Sequence, residues 1–484
     1  MTSDAEAISR GFRDLLPRQL RRPSLESLFV ATFALGGFAV GARPIGDNST
    51  FVHLRTGIDM VAGSGIPRVD PYSFTAPGAR WVVQSWLPAG LYGWAERIGG
   101  LLWVVLLQGV LMGLLAWTIA RLARTGSPLR TMAAGGIAVG VGYPWWSPRP
   151  LLFGLLALAL TLLVVERRWN PWWLVPIVWV WVQSHGSFPL GVLWISLTFL
   201  GAWIDRRAWP ADMVRYVVAF AVGLVAAGLN PLGPRLLTFA VTVGEKREVF
   251  RSITEWRTAD FQSEQGLVTT VFLVATVVVL ARRRPAWVHL LPVAVFFGLG
   301  LLALRNLAVL GVVLAPALGA ALRAEPSGSP GPERDDRPRV NLYFAGVLVV
   351  GALLFALGAS AGEKLQLDDY PVASVRWLER AGYLDGPGGR RVAAQDIVGC
   401  YLILRDGRDA DVFVDDRFDM YPVRVSNDLE SLLRGRRDSL AILDRYRIDA
   451  VLWDAQQPLA TILDEHPDWR TAHTRDDWLV FVRR

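Results

Sequence analysis

The chain has 484 residues, of which 52% are hydrophobic and only 19% are charged, and its mean hydropathy is +0.33. Apolar runs near the ~20 residues that cross a bilayer recur along it, which predicts a helical membrane protein with many spans. The formal charge of +7 comes from arginines between apolar runs, so it indicates membrane orientation and argues against nucleic-acid binding. The single cysteine, Cys400, excludes an internal disulfide and a thiolate metal cage.

The N-terminal segment, residues 1–24, is polar and basic, and it lacks the apolar core and cleavage site of a signal peptide. We therefore expect a cytoplasmic arm, followed by a transmembrane body over residues 25–323. Eleven apolar segments are predicted to span the membrane, and the first ten of them form this body. The predicted spans are residues 25–42, 101–122, 131–144, 151–165, 172–184, 189–203, 214–229, 267–281, 287–304, 307–322 and 342–360.

The distribution of arginines predicts the orientation of these spans. With the N-terminus inside, every short loop that would be cytoplasmic carries basic residues, as expected for a multi-pass protein of a plasma (inner) membrane. The Pro-, Gly- and charge-rich residues 324–341 then form a flexible cytoplasmic linker before the last span, residues 342–361. The motif QSHGSF separates two short predicted spans, so residues 172–203 are equally compatible with a broken hairpin.

The C-terminal part, residues 365–484, returns to the composition of a soluble domain, and the orientation places it outside the cytoplasm. Strand-like runs at RRVAAQ, ADVFVD and DAVLWD alternate with helical runs, and a hairpin is expected over residues 469–482. This alternation predicts a small extracytoplasmic α/β domain with a largely parallel sheet.

The first loop, residues 43–100, follows the first span and concentrates ionisable side chains on the outer face. Asp47, His53, Asp59 and Asp70 all lie in it. Composition alone favours a helix cap for Asp47, which precedes Asn-Ser-Thr, and a turn role for Asp70, which precedes proline. We expect Asp59 to be solvated and His53 to be a surface or packing residue.

The same loop contains a predicted amphipathic helix. Leu54, Ile58 and Val61 recur with helical spacing and share one face. A helix of this kind is typical of a segment that lies in the membrane interface.

Three cationic candidates lie at the boundaries of other predicted spans: Arg149 in WWSPRP, His185 in QSHGSF and Arg305 in LLALRNLAV. Charges in such places cost several kcal/mol unless they have partners, so they are functional candidates. The alternatives are snorkelling to headgroups or pairing with Glu255 or Asp260. An acidic loop that faces these side chains has what a transfer from a lipid phosphate requires, namely a carboxylate base and cations that stabilise the leaving phosphate.

The C-terminal domain adds Asp416 and Arg417, which follow the strand-like run VFVD. The carboxyl edge of a parallel sheet is where ligand sites of α/β domains lie, although a local ion pair that caps the next helix is the alternative. No P-loop, dinucleotide fingerprint or zinc motif is present. The lack of a nucleotide-binding motif agrees with a lipid phosphate as the carrier of the group that is transferred.

The motifs DNSTFVHLRTG, GIPRVDPYSFT, WVVQSWL, SPRPLLFG, WVQSHGSFPLG, ITEWRTADF and VFVDDRFDMYP, in this order, resemble those of bacterial membrane proteins described as GT-C-like. The arrangement is also similar to the wider GT-C superfamily of membrane glycosyltransferases, which includes protein O-mannosyltransferases and the lipid A aminoarabinose transferase. The resemblance implies a polyprenyl-phosphate-linked sugar donor, inversion at the anomeric carbon, and a cell-envelope glycan, lipid or protein as acceptor. It makes Asp47 the first-loop catalytic acid and Asp70 the second, with Arg149, His185 and Arg305 at the donor phosphate and His53, Glu255, Asp416 and Arg417 as further candidates.

One departure from this pattern leaves alternatives open. Many GT-C proteins have two acidic residues close together in the first loop, whereas here Asn48 follows Asp47. The use of a divalent cation therefore stays open, and so does loss of catalysis. A lipid or solute transporter with its site in the region 172–203, or a non-catalytic envelope scaffold, are the competing functions.

Overall fold

The computed structural model describes residues 23–246, 254–323 and 337–484. Residues 1–22 of the predicted arm and residues 324–336 of the predicted linker lie outside the described residues. The helical body contains α1 (Leu25–Gly41), α2 (Asn48–Asp59), α3 (Trp86–Leu122), α4 (Pro128–Gly142), α5 (Leu151–Glu166), α6 (Leu174–Ser184), α7 (Pro189–Arg206), α8 (Ala211–Ala226), α9 (Arg235–Glu245), α10 (Glu264–Arg283), α11 (Trp287–Leu302), α12 (Arg305–Ala321) and α13 (Pro338–Ala361).

Each predicted span lies mostly within one of these helices. By length and composition, three of the described helices are long and apolar enough to cross a membrane, namely α3, α10 and α13. Helices α1, α5, α11 and α12 are apolar but shorter, and the 17 residues of α1 span only ~25 Å at 1.5 Å per residue. The number of crossings therefore stays a prediction.

The C-terminal domain combines helices with a four-stranded sheet in the order β1-β2-β4-β3. Strands β1 and β2 are parallel, while β2–β4 and β3–β4 are antiparallel. Its elements are α14 (Val372–Arg380), β1 (Val392–Ala394), α15 (Asp396–Asp406), α16 (Val423–Leu433), α17 (Ser439–Arg445), β2 (Ala450–Asp454), α18 (Pro458–Glu465), β3 (Trp469–Arg475) and β4 (Trp478–Arg483).

The α/β character and the C-terminal hairpin are as expected, but the prediction of a largely parallel sheet is wrong. The run ADVFVD does not join the sheet. Instead, the Val412 N–H donates to the Tyr72 carbonyl at 2.9 Å, and the Phe74 N–H donates to the Val412 carbonyl at 3.1 Å. Its strand-type hydrogen bonds therefore go to the first loop, which attaches the domain to the helical body.

Close helix contacts in the body depend on glycine. A Cβ atom on Gly37 of α1 would lie only 2.6 Å from the Met112 carbonyl oxygen of α3. The same four-residue spacing recurs at Gly41 on α1 and at Gly109 and Gly113 on α3, and each of these glycines faces the other helix closely. Small residues at this spacing let two helix backbones touch.

Helix α2 is packed inside the protein, so the prediction that it lies in the membrane interface is wrong. Phe51 and Leu54 are completely buried. A Cβ atom on Gly57 would lie 1.8 Å from the Ala89 carbonyl oxygen, so α2 crosses α3 in backbone contact. Helix α15 of the C-terminal domain packs on α2 as well. Of the apolar face that sequence spacing indicated, Leu54 is thus covered by protein, whereas Ile58 and Val61 are half-buried.

Asp59, at the end of α2, was expected to be solvated, and it is buried. Its carboxylate accepts hydrogen bonds from the Arg55 Nε at 2.9 Å and from the Tyr72 hydroxyl at 3.0 Å. These two donors compensate the loss of water, and they make Asp59 a structural residue.

Candidate functional site

A cavity of about 310 Å³ lies where the first loop, three turns of the helical body and the C-terminal domain meet. Most of the candidates from sequence line it, whereas Asp47 and Asp70 are not among its lining residues. The candidates on its wall are His53, Arg149, His185, Glu255, Arg305, Asp416 and Arg417.

Asp47 caps α2 and also contacts a cation of the cavity. Its Oδ1 accepts from the Thr50 N–H at 3.1 Å, which is the helix-cap contact that composition favours. Its Oδ2 accepts from the Ser147 hydroxyl and lies 3.8 Å from the Arg149 Nε. The carboxylate is therefore held at the edge of the site by both a helix terminus and an arginine.

Arg149 lies in the turn between α4 and α5 and is placed between two acids. One of its Nη atoms donates to Glu255, which confirms the ion pair considered from sequence. Burial opposes the charge, but Asp47 and Glu255 outweigh it and raise the pKa of Arg149, so the guanidinium stays charged. Its Nε atom is buried without a hydrogen-bond partner.

Arg305 is the cation with the fewest partners on this wall. It begins α12, and its guanidinium carbon lies 4.4 Å from the centroid of the Trp256 ring. Within the described residues, its side chain makes no hydrogen bond and no ion pair. A guanidinium that lines a cavity in this way keeps its donors for another anion.

The two histidines of the site are neutral hydrogen-bonding groups. The Nδ1 of His185 accepts from the Ser187 N–H at 3.2 Å, so we assign the ring proton to Nε2. Burial, followed by the charges of Arg305 and Arg149, lowers the pKa of His185 to about 3. Burial likewise lowers the pKa of His53 to about 4, and its Nδ1 is buried without a partner. His185 is therefore not the cation that its position suggests.

The wall from the C-terminal domain contains a buried ion-pair network. Arg417 donates from Nε and Nη2 to Asp415 at 2.7 and 2.6 Å, and its Nη2 also lies 2.7 Å from Asp70 of the first loop. The Tyr421 hydroxyl donates to Asp415 at 2.6 Å. The Arg417 side chain is only 5% exposed, and both acids are completely buried. The network thus connects the domain to the first loop.

Aromatic rings complete the surroundings of Arg417. Its guanidinium carbon lies 4.9 Å from the centroid of Tyr72 and 4.5 Å from that of Trp81. Asp70 also accepts from the N–H groups of Tyr72 and Ser73, both at 3.1 Å. Asp70 is therefore a turn residue, as composition favours, and it also positions Arg417.

Asp416 differs from its neighbours Asp415 and Arg417, because it is not part of the ion-pair network that they form. It lines the cavity, and within the described residues its carboxyl group has no hydrogen-bond or ion-pair partner. Burial, and next the charge of Asp396, raise the pKa of Asp416 well above its usual value, although Arg149 opposes this. The backbone N–H of Asp416 donates to the Cys400 Sγ at 3.3 Å, which fixes the segment against α15.

Several buried polar atoms around the cavity have no hydrogen-bond partner in the part of the chain that the structure describes. They are the Nδ1 of His53, the Oε1 of Gln84, the Nε of Arg149 and the Nη1 of Arg417. Buried polar groups are almost always hydrogen-bonded in folded proteins, so this concentration indicates a site that binds a polar molecule.

Sequence reasoning did not select Asp419, Phe239 or the 81–85 segment, although all of them line the cavity. The motif WVVQSWL was noted only as part of a resemblance, and its Gln84 donates to the Val182 carbonyl at 2.7 Å. Nothing in local composition separates such residues from ordinary loop residues, because only the fold brings them to the cavity.

The acids of the site do not form a ready metal-binding set. Among the described residues, no group of three or more His, Cys, Asp or Glu side chains lies close enough to hold a metal ion. Glu255 and Asp47 are both engaged with Arg149. The side chains in this arrangement therefore do not fit a divalent cation.

No family model and no curated protein sequence matches the chain. Solved structures do match. The oligosaccharyltransferase AglB of Archaeoglobus fulgidus, in complex with an inhibitory peptide and a dolichol-phosphate, is 10% identical, with a TM-score of 0.50 over 89% of this chain and 70% of that chain. A second structure of the A. fulgidus oligosaccharyltransferase, tethered to an acceptor peptide with the NVT sequon, is 13% identical, with a TM-score of 0.51 over 89% and 69%.

The fold of this chain is similar to that of AglB. AglB is a membrane glycosyltransferase of the GT-C superfamily, so the GT-C resemblance read from the motifs is confirmed at the level of fold. At this low identity the match establishes the architecture, and activity has to be argued from the site itself.

Proposed function

We propose that the protein is a membrane glycosyltransferase that moves a sugar from a polyprenyl-phosphate-linked donor to an acceptor at the extracytoplasmic face. The observation that carries this proposal is Arg305, which lines the cavity without an anionic partner among the described residues. A largely desolvated cation is costly unless an anion compensates it, and a phosphate is such an anion. The GT-C fold supports this class of donor, and one AglB structure contains dolichol-phosphate.

The donor phosphate would be bound from several directions. Arg305 supplies a guanidinium without a hydrogen-bond or ion-pair partner among the described residues, Arg149 supplies an Nε that makes no hydrogen bond to them, and His185 supplies the Nε2–H of a neutral imidazole. These donors come from three separate turns of a packed helical body, so they are positioned before the reaction. Such fixed donors stabilise the negative charge that grows on the phosphate as the sugar leaves.

The acceptor hydroxyl needs a base, and we assign this role to Asp47. In the reaction the hydroxyl oxygen attacks the anomeric carbon, its proton goes to the carboxylate, and the electrons of the broken C–O bond leave with the polyprenyl phosphate. Attack from the opposite side inverts the anomeric configuration. Asp47 lies 3.8 Å from Arg149, which places the base next to the phosphate site. Asp416, which lines the cavity and has no ion-pair or hydrogen-bond partner for its carboxyl group among the described residues, is the competing base.

Binding of sugar-free polyprenyl phosphate tests the donor site without knowledge of the acceptor. The full-length protein should bind this probe, and Arg305→Gln should weaken transfer of a labelled polyprenyl-phosphate sugar by about 10²–10³-fold, as loss of one charge-stabilising donor does. Arg257→Gln, at an exposed arginine of the neighbouring segment, is the matched control and should behave as the wild type. Equal binding and transfer by Arg305→Gln and Arg257→Gln would overturn the proposal.

Two further assays separate the competing functions. A transporter would move lipid or solute across proteoliposomes without forming any covalent product. An envelope scaffold would keep its function when Asp47, Arg149 and Arg305 are all replaced.

A further inference from the structure

A second site is indicated by an apolar groove of about 440 Å³ between α1, α3 and α13. It does not share a residue with the polar cavity. Ala34, Leu35 and Phe38 of α1 form one side, Val110 and Leu114 of α3 form another, and α13 closes it in part.

The groove follows from the way α1 and α3 pack. A Cβ atom on Gly113 would lie 2.9 Å from the Ala34 carbonyl oxygen, so the two backbones touch there. The large side chains next to this contact extend past it, and Val110 and Leu114 remain 48% and 45% exposed. Helix α13 covers them incompletely, because no residue of its apolar stretch is buried inside the protein. The result is an elongated apolar space and not a closed helix interface.

One end of the groove carries a cation. Val110, Leu114, Trp117 and Arg121 follow one another at spacings of four, three and four residues, which places them on one face of α3. The Arg121 guanidinium carbon lies 5.4 Å from the ring centroid of Trp117, the residue that lines the end of the groove. The Nε of Arg121 is buried and has no hydrogen-bond partner among residues 23–246, 254–323 and 337–484.

Neighbouring residues add positive charge at this end. Arg124 is paired with Glu26, whose carboxylate also accepts from the Gly126 N–H, so this acid is already satisfied. Arg167 donates to the backbone carbonyl of Arg121. Among the described residues, Arg121 itself has no carboxylate partner. The apolar groove thus ends at a cluster formed by Arg121, Arg124 and Arg167. The nearby acid, Glu26, is already paired with Arg124.

We propose that this groove binds an anionic phospholipid, with one acyl chain between α1, α3 and α13 and its phosphate at Arg121. A chain without a charge would leave the buried Nε of Arg121 unsatisfied, and a free phosphate would leave the apolar surface empty. A zwitterionic headgroup would bring its ammonium near Arg124 and Arg167, which like-charge repulsion disfavours. A phospholipid with a net negative headgroup satisfies both parts of the groove.

The experiment uses the full-length protein in nanodiscs of phosphatidylcholine mixed with phosphatidylglycerol, followed by native mass spectrometry of the lipid retained after delipidation. The wild type should retain phosphatidylglycerol in preference to phosphatidylcholine. Arg121→Gln should weaken this retention about fivefold, the effect of one basic residue near an anionic headgroup, and Arg121→Lys should keep most of it. Leu114→Trp should displace the lipid by filling the groove.

Two substitutions on α10 serve as matched controls. Arg283→Gln removes an exposed arginine, and Val274→Trp enlarges an exposed valine, and neither residue lines the groove. Both should retain the lipid as the wild type does. Equal retention of the two lipids by the wild type, or wild-type retention by Arg121→Gln, would overturn the proposal.

Discussion

The two walls of the polar cavity each contribute one arginine, and the two arginines have different surroundings. On the C-terminal wall, Arg417 is enclosed by the carboxylates of Asp415 and Asp70 and by two aromatic rings. On the wall of the helical body, Arg305 contacts the face of Trp256 and, within the described residues, no acid. Both side chains line the same cavity.

This difference separates a structural charge from a binding charge. The Arg417 network stabilises the position of the C-terminal domain, because removal of either partner would leave a buried charge uncompensated. Arg305 gains little from its surroundings and keeps its donors for a ligand. The ion-pair partners of the two arginines therefore distinguish their roles, whereas residue type does not.

The largest expected effect is on domain docking. Arg417→Gln should lower the free energy of unfolding of the C-terminal domain by about 3–5 kcal/mol, because Asp70 and Asp415 would stay buried without a counter-charge. Hydrogen exchange of β1 and β2 in detergent measures it. The control is Arg424→Gln, at a side chain that is 66% exposed, where a loss of about 0–1 kcal/mol is expected. Equal exchange in the two variants would show that Arg417 does not hold the domain.

The next effect concerns the base on the other side of the cavity. Asp47→Asn should lower sugar transfer about 10²–10⁴-fold, because the proton acceptor is lost. Asparagine caps helices as well as aspartate does, so the stability of α2 should be kept. Asp416→Asn is the comparison and should retain transfer. The reverse pattern would move the base to the C-terminal wall.

A smaller effect tests the contact between α15 and the segment that carries Asp416. A Cβ atom on Gly399 would lie 1.8 Å from the Val414 carbonyl oxygen, so Gly399→Ala should force the two apart at a cost of about 1–3 kcal/mol. Thermal unfolding measures it. Gly358→Ala is the control, since nothing lies within 4 Å of its Cβ position. An unchanged melting temperature in Gly399→Ala would contradict the close contact.

The smallest effect is a dependence of stability on pH. Burial raises the pKa of Asp419 to about 6, although Arg417 and Lys246 oppose this. Between pH ~4 and ~6 the folded state therefore holds a proton that the unfolded state has lost, so stability falls as pH rises through this window and is constant above it.

The variant Asp419→Asn should remove this component. We expect the wild type to lose on the order of 1 kcal/mol relative to the variant between pH ~4 and ~6, measured by thermal unfolding at a series of pH values. A difference between the two proteins that does not change with pH would show that Asp419 does not titrate in this range.

The prediction from sequence was strongest where one local pattern decides the structure. Apolar runs located the helices, the alternation of strand and helix signals gave the C-terminal α/β character, and the Asp-Asn-Ser-Thr sequence identified Asp47 as the cap of α2. It failed where another part of the chain competes for the same groups. The hydrogen bonds of Val412 go to the first loop, and α2 packs against α3 and α15 and does not lie in the membrane interface.

The sequence by itself determined which side chains could form a site, because charges at the ends of apolar segments need a partner or a ligand. Only the tertiary structure decided whether a given charged side chain has a partner within the protein or is left to bind a ligand. Arg417 meets Asp70 because the C-terminal domain pairs with the first loop, whereas Arg305 reaches the cavity and forms no ion pair with any described residue. The energy of a charge depends on its neighbours in space, and those neighbours come from distant parts of the chain.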